Sequence, residues 1–220
     1  MRDERGDPSD PLGERRSEDL PTLRPGDRAP DVTLPAADRD GVVSLTDYRG
    51  KQPVLLALYR SLYCPFCRRQ MSQLALSVER LERRGVATLA VVATAPERAR
   101  VYYRFRPPRF RVAADPDLRT HRAYGLPHLR KTPAILQIIE AAAVEMARDL
   151  GIPTVPGQAS DAILRFDGFE PLESDRQDAE RDQALMIGQF LIDPQGIVRW
   201  VHIERAPGER LEEEQLLAAL

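Results

Sequence analysis

The sequence predicts an α/β fold: a mixed central sheet with helices on both faces, ending in a β-hairpin and a helix. Two apolar runs are the first observation. Pro53-Val54-Leu55-Leu56-Ala57-Leu58-Tyr59-Arg60 and Val86-Ala87-Thr88-Leu89-Ala90-Val91-Val92 are short and do not alternate with polar residues. That pattern suits strands buried on both faces of a sheet with parallel neighbours. The second observation is that a segment of helical periodicity follows each run. The third is the pair Gly188–Asp193 and Ile197–His202, separated by Pro194-Gln195-Gly196, whose residues suit a tight turn between paired strands.

Residues 1–24 are rich in Asp, Glu, Arg, Pro and Gly. They carry too little apolar surface to offset the entropy of ordering and are expected to form a disordered or loosely docked tail. One domain, residues 25–220, follows. Ala29 to Leu34 reads as extended chain, and Val42 to Leu45 as a short strand after a turn at Asp40-Gly41. Beyond the 53–60 strand, Pro65 to about Arg84 turns helical, with Met71, Leu74, Leu76, Val78 and Leu81 as the apolar positions and Gly85 as the stop. After the 86–92 strand come a helix over 97–105, a strand over 110–114 and a short helix over 116–124 that ends at Gly125.

Residues 128–185 break the strand–helix rhythm and read as an insertion before the hairpin. In it, Ala134 to Leu150 predicts an amphipathic helix, Ala162 to Phe166 a strand, and Glu170 to Gln183 a charged, solvated stretch. The insertion leaves the domain after Gly125 and returns at Gly188, which places it beside the helix that starts at Pro65. Glu209 to Leu220 closes the chain as an amphipathic helix. The summed order is that of a thioredoxin-like fold with an N-terminal extension.

Composition narrows the function. Hydrophobic residues make up 42%, charged residues 30%, and the net charge is −2, so nothing points to nucleic acid. No apolar run approaches the ~18 residues of a membrane span. Met1 to Arg16 is charged and lacks the apolar core of a secretory signal, which predicts a cytoplasmic protein. The 2 cysteines, Cys64 and Cys67, close a loop too short to staple a fold. A zinc site needs four ligands, and the sequence has no second C-x-x-C and no H-x-x-H. No metal and no cofactor is expected. Reactivity accounts best for the pair: a Cys at a helix N-terminus gains from the unpaired N–H groups there, and the thiolate is the nucleophile. Pro65 suits the first helical turn. Cys67 stands one turn later on the same face, in reach of a mixed disulfide or sulfenic acid on Cys64.

Several blocks occur in an order that resembles a known group. They are Gly26-Asp27-Arg28-Ala29-Pro30-Asp31, Leu45-Thr46-Asp47-Tyr48-Arg49-Gly50-Lys51, Cys64-Pro65-Phe66-Cys67-Arg68, Asp115-Pro116-Asp117 and Phe190-Leu191-Ile192-Asp193-Pro194-Gln195-Gly196. The chain resembles peroxiredoxin-like proteins of the alkyl hydroperoxide reductase/thiol-specific antioxidant family, in the thioredoxin superfamily. The resemblance implies a thiol-dependent oxidoreductase, either a peroxidase or a thiol–disulfide exchanger. Its substrate is a peroxide or a disulfide, its reductant a thioredoxin or glutaredoxin system, and a homodimer is an open option. In this scheme Cys64 attacks and Cys67 resolves. Ser61, Tyr63, Pro65, Arg68 and Gly188 support the site: Ser61 as a hydrogen-bond donor to sulfur or peroxide, Arg68 (with Arg69) as positive potential, Tyr63 at the entrance. The chain departs from the family where peroxiredoxins carry Pro, Thr and a hairpin-strand Arg; Ala57, Ser61 and Ile187 stand there. The alternative reading is a non-catalytic redoxin-fold module that binds a partner or senses redox state.

Overall fold

In the computed structural model, which describes residues 20–209 and 213–218, the elements follow in the order β1 (Thr33–Pro35), β2 (Val42–Ser44), β3 (Val54–Tyr59), α1 (Pro65–Arg83), β4 (Ala87–Val92), α2 (Pro96–Phe105), β5 (Arg111–Ala114), α3 (Arg119–Ala123), α4 (Pro133–Asp149), α5 (Ala159–Phe166), α6 (Glu173–Asp182), β6 (Gly188–Ile192), β7 (Val198–Ile203) and α7 (Glu213–Ala218). The main sheet has the order β5-β4-β3-β6-β7. β3, β4 and β5 run parallel; β6 is antiparallel to β3 and to β7. The first apolar run is therefore the central strand, and all its residues are buried.

Alternation along β3 divides the core. Leu55, Ala57 and Tyr59 face a cluster built with α1, α2, α4 and α5. Val54, Leu56 and Leu58 face a second cluster with the β1–β2 hairpin, Tyr124 and Val198. A strand with two covered faces has no polar side to show, which is why its sequence lacks period two. The sheet, its hairpin and the helices on its faces match the predicted fold class.

The insertion is more helical than its sequence suggests. Ala162 to Phe166, expected as a strand, belongs to α5. Its buried residues Ala159, Ala162 and Ile163 stand three and four apart, the spacing of a helical stripe. The stretch expected to be solvated is α6, and it buries Asp175 and Asp182. Asp175 accepts Arg98 Nε at 3.0 Å and the Leu172 N–H at 2.7 Å, which makes its burial tolerable. Within α1, Leu76 is exposed, not part of the apolar face. α4 and α5 pack on the α1 side of the sheet through Ala143, Met146, Ala147, Ile163 and Leu164.

Residues 1–19 of the expected tail lie outside the described residues. Its end docks: the Leu23 N–H donates to Tyr124 O at 3.2 Å, and Thr22 Oγ1 donates to Gly125 O at 2.6 Å. Gly125 has φ +65°, and a Cβ there would lie 2.1 Å from Pro21 O.

Gly188, at the start of β6, is a point of close approach. A Cβ would lie 2.6 Å from Leu126 Cδ2 and 2.7 Å from Ile203 Cδ1. Gly188→Ala is expected to lower stability by about 1–3 kcal/mol through overpacking. Urea denaturation measures it, and an unchanged midpoint contradicts this account of the glycine.

Candidate active site

The site forms where β3 runs out of sheet. Residues 60–63 link Tyr59 to α1, and their backbone is held at several points. The Ser61 N–H donates to Asp182 Oδ2 at 2.7 Å and the Leu62 N–H to Thr94 Oγ1 at 2.9 Å. Arg68 Nη1 donates to Leu62 O at 2.7 Å and Tyr63 O at 2.9 Å. The loop thus hangs from α6, from the end of β4 and from α1 together. Cys64 is the N-cap of α1 and Pro65 its first residue. Cys64 Sγ occupies the position of a capping oxygen and accepts the Cys67 N–H at 3.2 Å.

A second donor reaches the same sulfur. Arg60 Nε donates to Cys64 Sγ at 3.3 Å. Arg60 is buried; its Nη1 donates to Leu185 O at 2.7 Å and lies 3.3 Å from Glu204 Oε2. Burial alone would push the Cys64 thiol up. A hydrogen bond from the Cys67 thiol, the Arg60 charge and the Cys67 N–H outweigh it and hold Cys64 at about 5, far below an ordinary thiol. Cys67 is pushed well above the ordinary value by burial and by the thiolate beside it. Burial, with the Cys64 charge adding, also lifts Asp182 and Glu204, each to about 7. Neither cysteine is in a disulfide.

A cavity of about 290 Å³ opens over Cys64. One wall is Tyr63, Pro65 and Phe66; the other, from α4 and α6, includes Ile139, Ala179 and Asp182. Cys64 keeps 9% exposure and Cys67 1%, so a substrate in the cavity meets Cys64.

The structure brings Cys64, Cys67, Ser61, Tyr63 and Pro65 together. Three expectations change. Ser61 Oγ turns to Asp182 Oδ1 at 3.4 Å, so its hydroxyl is occupied by α6. Arg68 binds Asp167 Oδ2 at 2.6 Å and lies over the Phe169 ring, 4.7 Å from its centroid; Arg69 lies 3.8 Å from Asp149. These two arginines tie the insertion to α1, and the cation at the sulfur is Arg60. Gly188 serves the sheet. The residues missed from sequence are Arg60, Asp182 and Glu204. Arg60 had a signal, as the one charged residue in an otherwise apolar strand run. The two carboxylates had none, since 121 positions separate Ser61 from Asp182.

Comparison with known proteins gives the family and the fold. The model of the AhpC/TSA family matches residues 25–201. A protein of Mycobacterium tuberculosis strain H37Rv, named "Putative peroxiredoxin Rv2521", is 31% identical over 103 residues, 47% of this chain and 64% of that protein. The chain thus spans less than two thirds of that relative's length. In fold, the chain is similar to a peroxiredoxin-like protein from Aquifex aeolicus, with TM-score 0.56, 18% identity, and 91% of this chain and 88% of that one covered. Peroxidoxin BcpB from Mycobacterium tuberculosis gives TM-score 0.56 and 12% identity over 90% of this chain and 96% of that one. No helix among the described residues is long and apolar enough to cross a membrane.

The thiolate assignment has a direct reading. In the reduced protein, alkylation of Cys64 by iodoacetamide should keep its full rate as pH falls to about 6, because a thiol held near 5 stays ionised there. Arg60→Met should move the half-maximal pH upward toward that of an ordinary thiol. Mass spectrometry of labelled peptides reports both, and labelling of Cys67 ahead of Cys64 reverses the assignment.

Proposed function

Since the chain belongs to the AhpC/TSA family, we propose that it is a thiol-dependent peroxidase in which Cys64 attacks and Cys67 resolves. The observation that carries this reading is the Arg60 guanidinium 3.3 Å from Cys64 Sγ. It supplies, from the end of β3, the cation that the hairpin position Ile187 lacks. A positive group there keeps the sulfur ionised. It also faces the charge that develops when a peroxide bond breaks over that sulfur.

The chemistry runs in two steps. The Cys64 thiolate attacks one peroxide oxygen; the O–O bond breaks, and its electron pair leaves with the other oxygen, which takes a proton and departs as alcohol or water. Cys64 is then a sulfenic acid. Cys67, losing its proton, attacks that sulfur, the S–O bond breaks, and water leaves as the disulfide forms. Their one-turn spacing lets this happen within the chain, after the first turn of α1 loosens. A thiol reductant of the thioredoxin or glutaredoxin type returns both sulfurs to thiols.

Thiol–disulfide exchange is the second reading, supported by the C-x-x-C spacing and the low Cys64 value. The same sulfurs would act, with a disulfide in place of the peroxide. A redox-sensing or binding module without turnover is the third, and turnover with a reductant separates it from the other two.

Cys64→Ser should abolish peroxide consumption. Cys67→Ser should still react once and then hold a sulfenic acid that a dimedone probe captures. Stopped-flow peroxide titration of the reduced protein, with thiol counting, checks both. A reduced wild-type protein that loses no thiols to any hydroperoxide, yet reduces a small disulfide, sinks the peroxidase reading and leaves exchange.

A further inference from the structure

Arg60 is buried between two groups that can each bear a negative charge, and a single guanidinium balances only one of them. Its Nε donates to Cys64 Sγ at 3.3 Å, and its Nη1 lies 3.3 Å from Glu204 Oε2. Glu204 is 1% exposed, and its carboxyl sits in a fixed frame. Its own N–H donates to Ile187 O at 3.0 Å, and its Oε1 accepts the Gly208 N–H at 2.7 Å. Its Oε2 is buried and, among the described residues, accepts no hydrogen bond. A buried carboxylate oxygen with only a shared cation beside it is costly to keep ionised while a thiolate already holds that cation.

We propose that Glu204 is the positioning residue that takes Arg60 over from Cys64 on oxidation: it carries a proton while Cys64 is a thiolate and gives that proton up when the Cys64–Cys67 disulfide forms. The proposal rests on Cys64 and Cys67 being a redox pair, but on neither oxidant in particular.

The protons balance inside the site. With a hydroperoxide, thiolate, thiol, carboxyl and ROOH become disulfide, carboxylate, ROH and water. The two sulfurs give two electrons, and the two protons come from Cys67 and Glu204. With a disulfide oxidant the same two protons leave on its two thiols. In either case the buried negative charge moves from sulfur to carboxylate, and Arg60 stays neutralised throughout. The other charged groups fit this scheme. Burial and the Cys64 charge both hold Glu204 up, at about 7; oxidation removes the second and leaves the attraction of Arg60. Asp182 is the competing buried carboxyl. It accepts the Ser61 N–H at 2.7 Å and lies 3.6 Å from Arg181 Nη2, a guanidinium it shares with Asp178 at 2.8 Å, so the cation beside it is Arg181 and not Arg60. Cys67, on α1, contributes a proton and no charge before oxidation.

The test oxidises the reduced protein with diamide, an azo compound whose N=N bond accepts two electrons and two protons, so that a failed peroxidase reading does not affect it. At about pH 6, in weakly buffered indicator solution, the wild type should take up no proton per disulfide formed. Glu204→Gln should take up about one, because the second proton must then come from solvent. Infrared difference spectra should lose a protonated-carboxyl C=O band on oxidation in the wild type and in Asp182→Asn, but not in Glu204→Gln. Uptake of about one proton by the wild type overturns the proposal, whether or not the variant folds. So does a band that disappears from the difference spectrum in Asp182→Asn, which would make Asp182 the proton carrier. Free-thiol counting confirms that the disulfide formed; if both thiols persist under diamide, it is the redox reading of the pair that fails.

Discussion

A buried guanidinium at the end of the central strand is the constraint around which the site is arranged. β3 delivers Arg60 to the point where the sheet stops, and the side chain has nowhere to go but inward. A buried charge of this kind costs several kcal/mol unless other groups meet it. Three segments meet it, one four residues away and two from the far end of the chain: the Cys64 sulfur at the N-cap of α1, the Leu185 carbonyl before β6 and the Glu204 carboxyl after β7. The thiolate is therefore part of what makes the arginine's burial tolerable. The structure and the chemistry of the cysteine are coupled through one side chain.

The insertion acts in the same direction. Its helices do not wander over the far side of the sheet; α4 and α5 pack in the cluster that holds α1, and together with α6 they furnish half of the cavity wall over Cys64. Asp182 at the end of α6 holds the Ser61 amide, and Asp167 after α5 holds Arg68, which in turn holds two carbonyls of the 60–63 loop. Polar contacts of this sort fix orientation more than they add stability, since each exchanges water partners for protein partners. Their effect is to set the sulfur, the arginine and the cavity in one geometry. Ser61 illustrates the exchange: a hydroxyl in the place of a site donor is drawn instead to a carboxylate from the insertion.

Local signals carried the frame of the fold. The two apolar runs, the helical stripe after Cys64 and the turn at Pro194-Gln195-Gly196 each encode their own conformation within a few residues, and each appears where the sequence placed it. The insertion was less legible for a physical reason. Five residues such as Ala162 to Phe166 fit a strand or a helix equally well until a neighbour decides which positions are buried. A stretch as charged as Glu173 to Asp182 looks solvated until one finds Arg98 and the Ser61 amide waiting for its two buried acids.

By itself, then, the sequence determined the thioredoxin-like frame, the order of its strands and helices, and the pair of sulfurs at a helix start, because periodicity, turns and caps are properties of neighbouring residues. The tertiary structure alone decided which cation reaches the thiolate and which carboxyls surround it. Arg60 and Arg68 are equally close to Cys64 along the chain, with Arg69 one position farther, and only the direction of a strand end against the helical turn separates them. Glu204 and Asp182 join the site from more than a hundred residues away, brought there by the pairing of β6 between β3 and β7.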